Sequence, residues 1–183
     1  KLNILFGKNL SKKNEKKINL EKQKITSDLK KQKIKFNSKI FKIFKNFFEK
    51  GYQICVASNA VKTTVESCLK ILKIKKFVKY NLSNNDIDKP KPHPEIYLKL
   101  FLKLGLSPRE ILIIEDSYYG LKAARESGAN VFQLNNAKDL SYKQLLDQIK
   151  IIDGNIKTTN MIWKDKKMNV LIPMAGEGSR FAK

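Results

Sequence analysis

Residues 111–134 read ILIIEDSYYGLKAARESGANVFQL, and their order decides the fold. Ile111 to Ile114 is an unbroken apolar run that ends in two carboxylates, Glu115 and Asp116. A run of that kind predicts a strand buried on both faces, as in a parallel sheet. Tyr119 to Ser127 then has helical spacing with Gly128 as its stop, and Asn130 to Leu134 returns to strand. Strand, helix and strand of these lengths form a parallel crossover unit. In such sheets ligands gather at the carboxyl ends of the strands, where Glu115 and Asp116 stand.

The same alternation extends outward in both directions. Upstream, Glu95 to Leu104 predicts a helix ended near Gly105, preceded by a loop over 81–94 with prolines at 90, 92 and 94. Val61 to Leu72 predicts a helix with Val65, Leu69 and Leu72 inward, and YQICVAS (52–58) a buried strand. Asn37 or Ser38 caps a helix whose inner face is Ile40, Phe41, Phe44, Phe47 and Phe48, with Gly51 as its stop. Downstream, Ser141 to Ile149 predicts a last helix. The class is α/β: a partial Rossmann-like parallel sheet with helices on both faces. Residues 11–35 put Ile18, Ile25 and Leu29 among lysines, which predicts one or two amphipathic helices with a thin apolar stripe.

A formal charge of +21 raises the question of a nucleic-acid partner. The positive charge is nearly all lysine, spread along the chain among Ile and Asn, with only Arg109, Arg125 and Arg180 as arginines. That usage matches an AT-rich genome rather than a phosphate- or base-reading surface, for which Arg is better suited. Steering of anionic substrates is the other use of such a charge. Cys55 and Cys68 match no metal spacing and read as small buried residues of a reducing cytoplasm. No run approaches the ~18 apolar residues of a membrane span, so a soluble cytoplasmic protein is expected. A start at Lys1 and an end just past a strand-like run suggest a segment of a longer polypeptide.

Glu115 and Asp116 follow an apolar strand, where paired carboxylates are costly unless a cation joins them. Mg²⁺ suits such a place, because it takes one or two carboxylates plus phosphate oxygens. A helix cap by Asp116 or Ser117 is the bland alternative. In KPKPHPEIY (89–97), prolines stiffen the backbone around Lys91, whose ammonium can then neutralise a phosphate and a carboxylate sharing one site. Lys89 is a rival for that role, and His93, the only histidine, reads as an exposed loop residue. Ser58 and Asn59 either hydrogen-bond a phosphoryl oxygen or cap the next helix. Gly120 relieves crowding where its helix packs on the sheet.

In order and spacing, VASN (56–59), KPKPHPEIY (89–97) and IIEDSYYGLKAARESGANVFQL (113–134) resemble motifs two, three and four of the haloacid dehalogenase (HAD) superfamily. They are most similar to its beta-phosphoglucomutase-like branch of sugar phosphatases and mutases. The Lys-Pro-x-Pro-acid-x-aromatic pattern falls on Lys91, Pro92, Pro94, Glu95 and Tyr97 and so selects Lys91 over Lys89; Pro90 stands where a glycine is usual. The resemblance implies a Mg²⁺-dependent enzyme working through an aspartyl-phosphate on a small sugar phosphate. Asp116 would ligate Mg²⁺ with Glu115 in support. Ser58 and Asn59 would grip the phosphoryl group, and Lys91 would balance its charge.

The family's first motif, a strand followed by Asp-x-Asp, has no match before Ser58, where Asp28 is the only aspartate. The expected organisation is therefore a partial helical cap (1–35), a HAD-like core lacking its first strand (36–150), a linker (151–167) and a C-terminal piece (168–183). The chain by itself is then expected to be inactive. A non-catalytic HAD fold or basic binding module, and a beta-phosphoglucomutase-like isomerase, are the alternatives. In the last piece, NVLIPMAGEGSRFAK resembles the opening of sugar nucleotidyltransferases, which implies the first strand of a separate, truncated domain and a nucleotide-binding glycine loop at Gly176, Gly178 and Arg180.

Overall fold

The computed structural model describes residues 11–18, 20, 21, 25, 34–158 and 169–172. The chain forms two units: Phe36–Glu177, which holds the sheet, and a second made of residues 1–35 and 178–183. Within the second, residues 12–18 are helical. Asp28, Gly176, Gly178 and Arg180 lie outside the described residues.

Asn37 is extended (φ −121°, ψ 108°), and its side chain accepts the Ile40 N–H to start helix α1, Ser38–Glu49. Its inner face is Ile43, Phe44 and Phe47, each burial worth about 1.5–3 kcal/mol. Phe48, expected inside, is 50% exposed and lies instead against the Phe77 ring, centroids 5.5 Å apart. Strand β1 (Ile54–Ala57) is wholly buried, and α2 (Lys62–Ile71) follows it. Strand β2 (Val78–Leu82) was not expected; its last two residues fall in the loop expected over 81–94. Helix α3 (Glu95–Leu104) ends at Gly105 in the left-handed region (φ 67°), a conformation that glycine adopts at little cost. Strand β3 (Ile111–Glu115), helix α4 (Tyr118–Glu126) and strand β4 (Asn130–Gln133) form the expected crossover. Helix α5 (Tyr142–Thr158) runs well beyond Ile149, into the stretch read as a linker.

The last described strand, β5 (Asn169–Ile172), departs furthest from expectation. It was expected to open a separate domain, yet the sheet order is β2-β1-β5-β3-β4. It pairs parallel with β1 (Val56 beside Ile172) and with β3 (Ile113 beside Leu171). The physical reason is the backbone ladder. β1 and β3 bond β2 and β4 on their outer sides, and their inner N–H and C=O groups also need partners.

Alternate side chains of β1 and β3 face opposite ways. Ile54, Val56, Leu112 and Ile114 pack with α1, α2 and α5, while Cys55, Ala57, Ile111 and Ile113 pack with α3 and α4. Helices thus cover both faces of the sheet, and polar side chains collect at the carboxyl ends of β1 and β3.

Candidate functional site

β1 ends at Ala57, so Ser58 and Asn59 begin the turn at its carboxyl end. Ser58 is buried; its N–H bonds Leu82 C=O at 3.0 Å, and its hydroxyl accepts the Ala60 N–H at 3.1 Å, keeping its own proton to donate. Neither Ser58 nor Asn59 caps α2. Asn85, from the loop after β2, accepts the Lys62 N–H at 2.9 Å instead.

The loop after β2 carries Lys91, whose bond to Pro92 is cis. Glu95, in the first turn of α3, accepts the Asp88 N–H at 3.0 Å and the Lys89 N–H at 2.7 Å and ties the loop to the helix. Its bonds to Lys99, Asp88 and Lys89 bring its pKa down to about 2. His93 Nδ1 accepts the Glu95 N–H at 3.2 Å, so the one histidine serves the helix start. Lys89 is exposed, whereas the Lys91 side chain is 6% exposed and points inward. Asp86 and Asp88 have Asp-x-Asp spacing in this loop, but Asp86 Oδ2 is taken by the N–H and hydroxyl of Ser83 in a turn.

The Lys91 Nζ lies 2.9 Å from Glu115 Oε2, 3.3 Å from Ala57 C=O and 4.7 Å from the Tyr97 ring centre. Tyr97, fully buried, donates its hydroxyl to the same Oε2 at 3.0 Å. The other oxygen of Glu115 accepts the Asp116 and Ser117 N–H groups at 3.1 Å and the Ser117 hydroxyl at 2.8 Å. Ser117 also caps α4 through the Gly120 N–H. Burial pushes the Lys91 ammonium below its ordinary pKa, against the charge and hydrogen bond of Glu115 and the charge of Asp116. Burial also works to raise the Glu115 carboxyl, yet Lys91 and Ser117 together hold it below its ordinary range. Burial, followed by the charge of Glu115, puts the Tyr97 phenol well above its usual value, so it remains a neutral donor.

The sequence-predicted Ser58, Asn59, Lys91, Glu115 and Asp116 thus meet at the carboxyl ends of β1 and β3. Tyr97 had been given no role and Ser117 only that of a helix cap, which it fills; the signal for their bonds to Glu115 was a hydroxyl on an otherwise apolar helix face and one directly after a carboxylate pair. Glu115 already has protein donors on both oxygens, which makes it a holder of Lys91 rather than an open metal ligand. Asp116 is partly buried beside it and supplies the hard carboxylate that a divalent cation would use. The arrangement can hold an anionic group against a fixed, desolvated cation.

Residues 4–134 match the haloacid dehalogenase-like hydrolase family. A haloacid dehalogenase-like hydrolase domain-containing protein of Arabidopsis thaliana is 37% identical over 81 residues, 43% of this chain and 26% of that protein. Pyrophosphatase PpaX of Anoxybacillus flavithermus is 27% identical over 89 residues, 49% of this chain and 41% of its own length. The chain thus spans less than half the length of these curated relatives. Among solved structures, beta-phosphoglucomutase from Clostridium difficile superposes with a TM-score of 0.66 at 15% identity, covering 82% of this chain and 72% of that one. A family IA HAD hydrolase from Entamoeba histolytica gives 0.62 at 23% identity, covering 80% and 66%. Those two likenesses are likenesses of fold. With its motifs gathered at one end of a parallel sheet and most of its length matched, this chain belongs to the haloacid dehalogenase-like hydrolase family.

Proposed function

We propose that this domain is the phosphoryl-binding half of a Mg²⁺-dependent phosphatase for small sugar phosphates, acting through an aspartyl-phosphate. The observation that carries this is Lys91: an ammonium withdrawn from water and fixed by Glu115, Ala57 and Tyr97 at the carboxyl ends of two parallel strands. Glu115 offsets the cost of burying that cation, and of the three ammonium protons two go to Glu115 and Ala57, which leaves the third for an anionic group at the strand ends. Relatives whose names refer to a pyrophosphatase and a phosphoglucomutase support phosphoryl chemistry.

On this reading Lys91 and the Ser58 hydroxyl contact the oxygens of the transferring group. Glu115 keeps Lys91 charged and aimed, and Tyr97 and Ser117 keep Glu115 in place. An aspartate carboxylate, contributed by residues other than those gathered here, attacks phosphorus. The sugar oxygen leaves with a proton given by the second aspartate of the same Asp-x-Asp pair, which then takes a proton from the water that hydrolyses the acyl phosphate to free phosphate and the aspartate carboxylate. Asp116 would hold Mg²⁺, which when bound would neutralise charge on the phosphoryl oxygens.

The test uses a longer polypeptide that contains this domain together with an Asp-x-Asp segment, assayed on sugar phosphates and pyrophosphate with Mg²⁺ or a chelator. Asp116→Asn should abolish Mg²⁺-dependent phosphate release and Lys91→Ala lower it by orders of magnitude, while the 183-residue chain alone should release none. Full activity in either variant would overturn the assignment. An isomerised sugar phosphate without released phosphate would favour the mutase.

A further inference from the structure

Asn59 and Lys91 are 32 residues apart, yet they share two hydrogen bonds. The Asn59 Nδ2 donates to Lys91 C=O at 3.2 Å, and the Lys91 N–H donates to Asn59 Oδ1 at 3.1 Å. A primary amide carries a donor and an acceptor on one planar group. It therefore meets the peptide groups of Lys91 as a neighbouring strand would, fixing both the position and the rotation of that residue.

This clamp has a physical task. Burial disfavours the Lys91 ammonium, and a lysine stem is flexible enough to return its charge to water. The end of β1 and the turn after it oppose that escape at two points. Asn59 holds the main chain of Lys91, and the Ala57 carbonyl, two residues earlier, accepts from its Nζ at 3.3 Å. Glu95 fastens only the earlier part of the loop, at Asp88 and Lys89.

We propose that Asn59 is a positioning residue, which acts by clamping the backbone of Lys91 so that its ammonium reaches the carboxyl ends of β1 and β3. This replaces the expectation that the Asn59 amide grips the phosphoryl group. It deepens the phosphoryl-transfer reading of the site, and its first test is independent of turnover.

That test is amide hydrogen exchange on the 183-residue chain. In Asn59→Ala the Lys91 amide should exchange about tenfold faster or more, while protection in β1 and β3 stays within about twofold. Asn59→Asp retains the acceptor and loses the donor, so its effect should be intermediate. An unchanged Lys91 amide in Asn59→Ala overturns the proposal. In the catalytically active longer polypeptide, Asn59→Ala should lower kcat by about tenfold with KM within about twofold, and should cost less than about twofold when added to Lys91→Ala. A raised KM, or the same loss in both backgrounds, means that Asn59 meets the substrate directly and overturns it. If no phosphatase activity is found, the exchange result still decides the clamp, and only the functional reading fails.

Discussion

A methyl group on Gly120 would place its carbon 2.1 Å from both Cδ and Oε2 of Glu115. The first turn of α4 therefore packs directly on the carboxylate that holds Lys91, and any side chain there must displace it. Gly→Ala inside a helix ordinarily stabilises by about 0.5–1 kcal/mol. Here Gly120→Ala should instead destabilise by about 1–3 kcal/mol, as overpacking does, measured by urea unfolding. A gain in stability would mean that the carboxylate can move aside cheaply.

The Lys91–Glu115 pair should show the asymmetry of a buried ion pair, its side chains being 6% and 2% exposed. Lys91→Met leaves Glu115 buried without its counter-charge, at a cost of about 3–5 kcal/mol. Lys91→Met combined with Glu115→Gln should lose at least about 1 kcal/mol less than the two single losses summed. Denaturant unfolding of the four proteins measures this, and strict additivity would show that the pair is not coupled.

Acid should loosen the Lys91 loop through Glu95. Its pKa falls from 4.5 to about 2 in the folded chain, so the bonds it makes are fully stabilising above about pH 4.5. They are lost as pH falls through about 2. Glu95→Gln should flatten the fall in stability across that window in urea midpoints taken from pH 5 to pH 2. A fall as steep as in the original chain would assign acid sensitivity elsewhere.

Cys55 is fully buried, and its thiol is pushed up to about 11, chiefly by burial. At pH 8 the folded chain should resist iodoacetamide at Cys55 for hours, with rapid labelling after denaturation, followed by peptide mass spectrometry. Prompt native labelling would mean that β1 opens easily.

The β3–α4–β4 unit was legible in the sequence because β3 is buried on both faces and its apolar run has no competing reading. Strand β2 was missed although Val78, Tyr80 and Leu82 alternate with Lys79 and Asn81. It is an edge strand, only Leu82 is buried in it, and its lysine and asparagine resemble loop composition. Helix α5 passes through Asp153-Gly154-Asn155, a string that reads as a stop. The place of β5 depends on pairing with strands far away in the chain, which no local pattern records.

In the site, motif order brought Ser58, Asn59, Lys91, Glu115 and Asp116 to attention before any geometry was known. Their division of labour was not legible. Lys89 and Lys91 both precede a proline; the motif pattern chose Lys91, and the path of the loop turns it inward while Lys89 stays exposed. The two bonds from the Asn59 side chain depend on where that loop lies, so spacing alone points equally to a cap or a phosphate ligand and does not show the clamp.

The strand order also sets the sequence in which the sheet can be completed. β2-β1 and β3-β4 are each built from local crossovers, but joining them waits for Ile54 to meet Val170 and Leu112 to meet the same residue from the other side. That closure carries a large loop entropy and is a late, slow event by comparison with helix formation. When the 183-residue chain refolds, both half-sheets can form before β5 joins them, each with an unpaired edge exposed to other chains. The interval before closure is therefore when this chain is most exposed to aggregation.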